Sequence, residues 1–236
     1  KHSKVRPASI SDDHVMALYE DSRGNFWVGT RYGGLNLMNR ETGEFKHFQY
    51  GSSDPDHLIG EFVRVIYEDS EGNLWIGTYN GISVMDPITQ QFHHHQHEPD
   101  NPNSLSSNRV LSIVETEDGD IWSGTMLGGL NRFDRESQTF QHYTQKQGLP
   151  SDTVYGILPD SAGFLWMSTN RGLSRFDPRT ETFRNYDRRD GLQSYEFSAG
   201  AYFQNAKGRM YFGGVQGFNA FDPKDIQDNP TAPPVI

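Results

Sequence analysis

The 236-residue chain contains no cysteine. Disulfide frameworks, thiolate nucleophiles and cysteine-ligated zinc are excluded with it, while the compartment stays open, since a thiol-free chain suits oxidising and reducing surroundings alike. It also lacks any apolar run near the ~20 residues that cross a bilayer, and no signal-peptide pattern opens it. Positive charge is scarce: 21 lysines and arginines stand against 31 aspartates and glutamates, a net charge of −10. Such a chain repels phosphate backbones, so nucleic acid is not an expected partner, and no membrane contact by this chain is expected. No Ser–His–Asp arrangement, glycine-rich phosphate loop or HExxH spacing occurs, so no catalytic constellation, metal or cofactor is expected.

What is abundant is glycine (24), phenylalanine (15) and tyrosine (11), a mix suited to short strands joined by tight turns with rings between them. Tryptophan is rare, and all four copies occupy one setting. Glu20-Asp21-Ser22-Arg23-Gly24-Asn25-Phe26-Trp27-Val28-Gly29-Thr30 recurs as Glu68 to Thr78 around Trp75, with drift around Trp122 and Trp166, and weakly as Gln204 to Gly214 around Tyr211. Self-similarity at a period of about 40–50 residues marks a propeller or a solenoid.

Each unit reads as four strands. Val15 to Tyr19, Phe26 to Thr30, Leu35 to Met38 and Phe45 to Phe48 are separated by Gly/Asn/Asp turn clusters. Four antiparallel strands per repeat make one propeller blade, so the expected fold is an all-β propeller with five units at about 11–50, 58–97, 105–144, 148–187 and 191–226. The fifth unit shows no outer strand, and Lys4–Arg6 is a possible short strand to supply one. Residues 227–236 read as a Pro-rich linker. Register holds when counted back from the Trp slot: twelve positions upstream stand Val15, Val63, Val110, Val154 and Ala199, and ten upstream stand Ala17, Val65, Ser112, Gly156 and Ala201. Two positions downstream lie Gly29, Gly77, Gly124, Ser168 and Gly213, a second small column suited to blades converging on an axis.

Columns present in every unit are structural. The aspartates before the Trp fall three residues ahead of their glycine, one too many for the Asp-box of sialidase-type propellers, and read as turn chemistry. The cluster His93-His94-His95-Gln96-His97 reads as a solvated outer strand rather than a metal site, because neighbours on a strand point to opposite faces and His47, His94 and His142 share one slot.

Function is expected where the units disagree. Loops leading into the first strand carry Asp13, Glu61, Asn108, Asp152 and Phe197, and loops between second and third strands carry equally varied residues. In a propeller both sets open on one face. The candidate ligand-binding residues are Arg31, Tyr32, Arg64, Tyr79, Asn80, Arg109, Tyr155, Asn170, Arg171, Tyr195, Glu196 and Gln216. Tyrosine faces stack on sugars, while arginine and asparagine bond hydroxyls and carboxylates. A lyase or glycosidase reading would rest on Asp13, Glu61, Asp152 and Glu196, and a third reading is a dimerisation scaffold.

The string Val63-Arg64-Val65-Ile66-Tyr67-Glu68-Asp69-Ser70-Glu71-Gly72-Asn73-Leu74-Trp75-Ile76-Gly77-Thr78 resembles the two-component regulator propeller repeat, and the resemblance covers about residues 11–186. It implies a periplasmic, non-enzymatic sensor region of a membrane-anchored bacterial signalling protein whose output is a hybrid histidine kinase or a diguanylate cyclase. Its ligand would be a small molecule or an oligosaccharide. An adjacent Ig-like domain and a second protomer are implied partners, the ending Ala232-Pro233-Pro234-Val235-Ile236 being similar to the approach to such a domain. Since these proteins usually have seven blades per propeller, the five units are expected to form the C-terminal part of a larger one, with a closed five-bladed ring as the alternative.

Overall fold

The computed structural model of the chain describes residues 1–51 and 57–226. The segment 227–236, read above as a linker, lies outside the described residues. Blade one comprises β1 (Val15–Glu20), β2 (Phe26–Thr30), β3 (Leu35–Met38) and β4 (Phe45–Phe48). Blade two comprises β5 (Val63–Glu68), β6 (Leu74–Thr78), β7 (Ile82–Met85) and β8 (Phe92–His95). Blade three is β9 (Val110–Glu115), β10 (Ile121–Thr125), β11 (Gly129–Asp134) and β12 (Thr139–Tyr143). Blade four is β13 (Val154–Pro159), β14 (Leu165–Thr169), β15 (Gly172–Asp177) and β16 (Thr182–Tyr186). Blade five has β17 (Phe197–Gln204), β18 (Met210–Gly214) and β19 (Gly217–Phe221), and no fourth strand among the described residues. Every sheet is an antiparallel meander in chain order, and the whole is an all-β propeller of five blades.

The Asp-Ser-x-Gly-Asn turn explains why strands one and two meet in constant register. Gly24 adopts φ +81°, which only glycine takes without strain, and Asp21 Oδ1 accepts the backbone N–H groups of Arg23 and Asn25. The other carboxylate oxygen does more than shape the turn: Asp21 Oδ2 accepts the indole N–H of Trp27 at 2.8 Å. Asp69 holds Trp75, and Asp160 holds Trp166, at the same 2.8 Å. Blade three has Thr116 in that position, and the buried Trp122 Nε1 is left without a partner. Burial alone would raise the Asp21 carboxyl, but the bonds from Trp27, Asn25 and Arg23 outweigh it and hold the pKa low.

The core is divided into clusters, each lying between successive blades. One joins Trp27, Leu35 and Phe48 of blade one to Val63, Ile66 and Leu74 of blade two. Others are organised around Trp75, Trp122 and Trp166 in the same manner. The glycine column is what lets blades approach: a Cβ on Gly77 would lie 2.8 Å from Val110 Cγ1 of the next blade, and one on Gly124 2.7 Å from Val154 Cγ1. A second joint is polar. Glu68 accepts the backbone N–H and hydroxyl of Ser22 at 2.6 and 2.7 Å, and Glu115 accepts those of Ser70 at 2.6 and 2.8 Å. The Glu-Asp-Ser triplet is thus a turn that also grips the neighbouring blade.

Inner strands pack in succession, β1 on β5, β5 on β9, β9 on β13 and β13 on β17, with no comparable packing between β17 and β1. Both outermost faces are accordingly apolar and solvated. Leu18 is 61% exposed where Ile66, Ile113 and Ile157 in the same column are 6, 4 and 2% exposed, and Phe218 is 66% exposed where Leu35, Ile82, Leu130 and Leu173 are at most 1%.

Three sequence expectations need correction here. Lys4–Arg6 forms no strand; the N-terminal segment lies along blade one, where Phe45 donates to the Ala8 carbonyl and His47 bonds that of Ser9. In blade five the register shifts between Phe197 and Tyr202, so buried Phe197, opposite Gly214, takes the slot assigned to Ala199. Phe197 is therefore a strand residue and not part of an approach loop.

Candidate functional site

Backbone bonds bring the two loop sets onto one face. Within blades, Arg31 N–H donates to the His14 carbonyl and Met126 N–H to that of Arg109; between blades, Gly34 N–H reaches Glu61 and Gly129 N–H reaches Asp152. On this frame the side chains of blades one to three form a continuous band. The Arg31 guanidinium lies 5.1 Å from the Tyr32 ring and 5.8 Å from that of Phe62. Phe62 and Tyr79 pack at 4.1 Å between centroids. Arg109 closes the row, 6.0 Å from the Tyr79 ring, with Nη1 on the Met126 sulfur at 3.6 Å. His14 meets Tyr32 edge-on at the other end. Rings held at these spacings gain cation–π and quadrupole attraction while leaving part of each face to solvent; Tyr32 is 52% exposed.

Arg31, Tyr32, Tyr79 and Arg109 of the sequence-predicted residues therefore come together. Arg64, half-buried on β5, reaches the axis, where a Cβ on Gly200 of blade five would lie 2.5 Å from its Nη2. Tyr155 and Glu196 form a second group across blades four and five; burial, then the Glu196 charge, raises the Tyr155 pKa. Tyr195 is exposed beside it, its carbonyl accepting Gly172 N–H. Asn80, Asn170, Arg171 and Gln216 are exposed loop residues. Phe62 was missed by the sequence reading, although its column (His14, Phe62, Arg109, Thr153, Ser198) is as varied as the one beside it. Two carboxylates of the enzyme reading are engaged locally: Asp13 accepts the His2 N–H, and Asp152 accepts both N–H groups offered by Gln145.

Two other places offered chemistry. The histidine cluster is not a solvated strand throughout. His95 is wedged against Trp75, Phe133 and Phe140, and burial, with His93 and His94 adjacent, pushes its pKa down to about 4. His142 bonds the Ser104 carbonyl as His47 bonds that of Ser9, so this column anchors loops. Among the described residues no group of His, Asp and Glu is arranged to hold a metal. A cavity of about 840 Å³ lies on the opposite face and is lined by Ser70, Glu71, Glu115, Asp120, Arg132 and Arg135. Its charges satisfy one another: Arg135 pairs with Asp69, Glu71 and Glu115 at 3.2, 3.3 and 2.8 Å, and Arg132 with Asp120 at 2.6 Å.

Fold and face define a β-propeller built from a single repeat. The model of the two component regulator propeller family matches it four times, at residues 9–32, 57–80, 104–126 and 148–171, once in each of blades one to four. Among solved structures it is similar to the extracellular domain of BT4673 from B. thetaiotaomicron, described as a hybrid two component system. Identity there is 28% and the TM-score 0.77, over 90% of this chain and 30% of that one. The extracellular domain of BT3049 from the same organism is 25% identical, TM-score 0.62, over 90% of this chain and 34% of its own. Virginiamycin B lyase from Staphylococcus aureus, 16% identical with a TM-score of 0.63 over 89% of this chain and 70% of its own, shares the fold alone. No curated protein matches the chain. Among the described residues no helix is long and apolar enough to cross a membrane.

Proposed function

We propose that this chain is a non-enzymatic, periplasmic ligand-sensing module of a bacterial signal-transduction receptor, and that its ligand is a glycan fragment. The observation that carries the reading is the Arg31–Phe62–Tyr79–Arg109 band, which combines ring faces with guanidinium groups that form no ion pair among the described residues, on the face where the repeats differ. Its likeness to extracellular domains of two-component systems supports the receptor setting. Ligand binding across three blades would bias their relative packing, and that change is what a following domain and kinase or cyclase would read. The five blades belong to a larger propeller. Glu20 supports this: it holds the place of Glu68 and Glu115 yet grips no serine, and blade five offers Ala206 where a serine would stand.

Calorimetry with an oligosaccharide panel tests the reading. At least one member is expected to bind, and Tyr79→Ala and Arg31→Ala are each expected to weaken it about tenfold, the loss of roughly 1.4 kcal/mol. A glycan bound equally by both variants would remove the site, and new reducing ends or unsaturated products would overturn the non-enzymatic assignment.

A further inference from the structure

Several arginines away from the band are neutralised: Arg23 and Arg40 pair with Glu68 and Glu20, Arg132 with Asp120, Arg135 with three carboxylates, and Arg179 with Asp177. On the band and the axis, Arg31, Arg64 and Arg109 form no ion pair among the described residues. In a chain of net charge −10, carboxylates to pair with them are plentiful. Of the loop carboxylates, Asp12 is already committed: it accepts from the N–H groups of His14 and Tyr32 and from the His14 ring.

A guanidinium laid over a ring keeps its N–H edges free, and those edges match a carboxylate or sulfate in bidentate fashion. Stacking on Tyr32, Phe62 and Tyr79 pre-orders Arg31 and Arg109, so little rotamer entropy is lost when an anion arrives. We infer that the band selects an anionic oligosaccharide. Its acid groups, uronate carboxylates or sulfate esters, sit on Arg31 and Arg109, and an apolar sugar face lies on the Phe62–Tyr79 pair between them. This rests on the glycan reading of the face and narrows it to one charge class.

The test is calorimetry on the whole chain with matched probes: oligogalacturonate and its carboxyl-reduced form, and sulfated galactan (carrageenan) oligosaccharides and their desulfated form. One acidic probe is expected to bind at least tenfold tighter than its neutral partner, and the member of the two pairs that does so identifies carboxylate or sulfate as the group read. Arg31→Gln and Arg109→Gln are each expected to bring the acidic probe toward the affinity of the neutral one without affecting the latter. Tyr79→Leu should weaken both forms equally. Arg209→Gln, an exposed arginine of blade five, is the control and leaves affinity unchanged. A neutral form bound as tightly as its acidic partner overturns the anionic assignment and leaves the glycan reading standing. Failure of every acidic probe together with every neutral one removes both.

Discussion

Glu68 closes on Ser22 of the preceding blade, accepting its backbone N–H at 2.6 Å and its hydroxyl at 2.7 Å, with the Glu68 side chain only 8% exposed. Charge-assisted bonds to a shielded carboxylate contribute more than exposed ones. Glu68→Gln is expected to cost about 1–2 kcal/mol in urea unfolding, and a double-mutant cycle with Ser22→Ala should recover most of that as coupling. Glu20, 57% exposed and paired only with Arg40, should cost under about 0.5 kcal/mol on the same change. Equal effects at the two positions would refute the clamp.

Trp122 is the one tryptophan whose indole N–H finds no acceptor, and Thr116 is the reason. Asp21→Ala removes the acceptor of Trp27 and is expected to destabilise by about 1–3 kcal/mol. Thr116→Asp should act in the opposite direction, raising the urea midpoint by satisfying Trp122. If Thr116→Asp destabilises as much as Asp21→Ala, the carboxylate–indole bond is not what these columns are for.

Gly77 is pinned by bulk and not by backbone conformation, since a Cβ there would lie 2.5 Å from Val65 Cγ1 and 2.8 Å from Val110 Cγ1. Gly77→Ala is expected to cost about 1–3 kcal/mol by overpacking, and Val110→Ala in the same chain should recover part of it. Gly213, whose added Cβ meets only Ala201 at 3.0 Å, should accept alanine with little change.

The legibility of the chain follows from these columns. Repetition reveals what every blade needs, so the strand pattern, the Trp slot and the small residues were readable from spacing alone. What the period cannot reveal is which partner a column faces. The Asp column shows in the sequence only as turn chemistry, since Asp21 Oδ1 serves the turn, while its Oδ2 bond to Trp27 is visible only in three dimensions. His95 looked like one of several exposed imidazoles, although its alternate-face position on β8 turns it toward Phe133 and Phe140 of the next blade. Of the binding face, Arg31, Tyr32, Tyr79 and Arg109 were found because they break the repeat. Phe62 escaped because a single apolar residue in a polar column reads as core.

His95 also sets a pH dependence. Its pKa of about 4 lies below the unfolded value near 6.5, so the folded chain binds fewer protons than the unfolded chain between those pH values. Its contribution is fully present above about pH 6.5 and is lost as pH falls toward 4. His95→Phe should flatten the decline in urea midpoint between pH 7.5 and 5 relative to the parent. Parallel decline in both chains would mean that His95 protonates freely in the fold.

A ligand-sensing role for the band is decided by where a ligand settles. Hydrogen–deuterium exchange of the chain, alone and with the tightest oligosaccharide of the panel, reads this peptide by peptide. Slowed exchange is predicted around Arg31–Tyr32, Phe62, Tyr79–Asn80 and Arg109, with none at the self-paired Glu115–Arg135 cavity. Protection confined to that cavity, with the band unchanged, would contradict it.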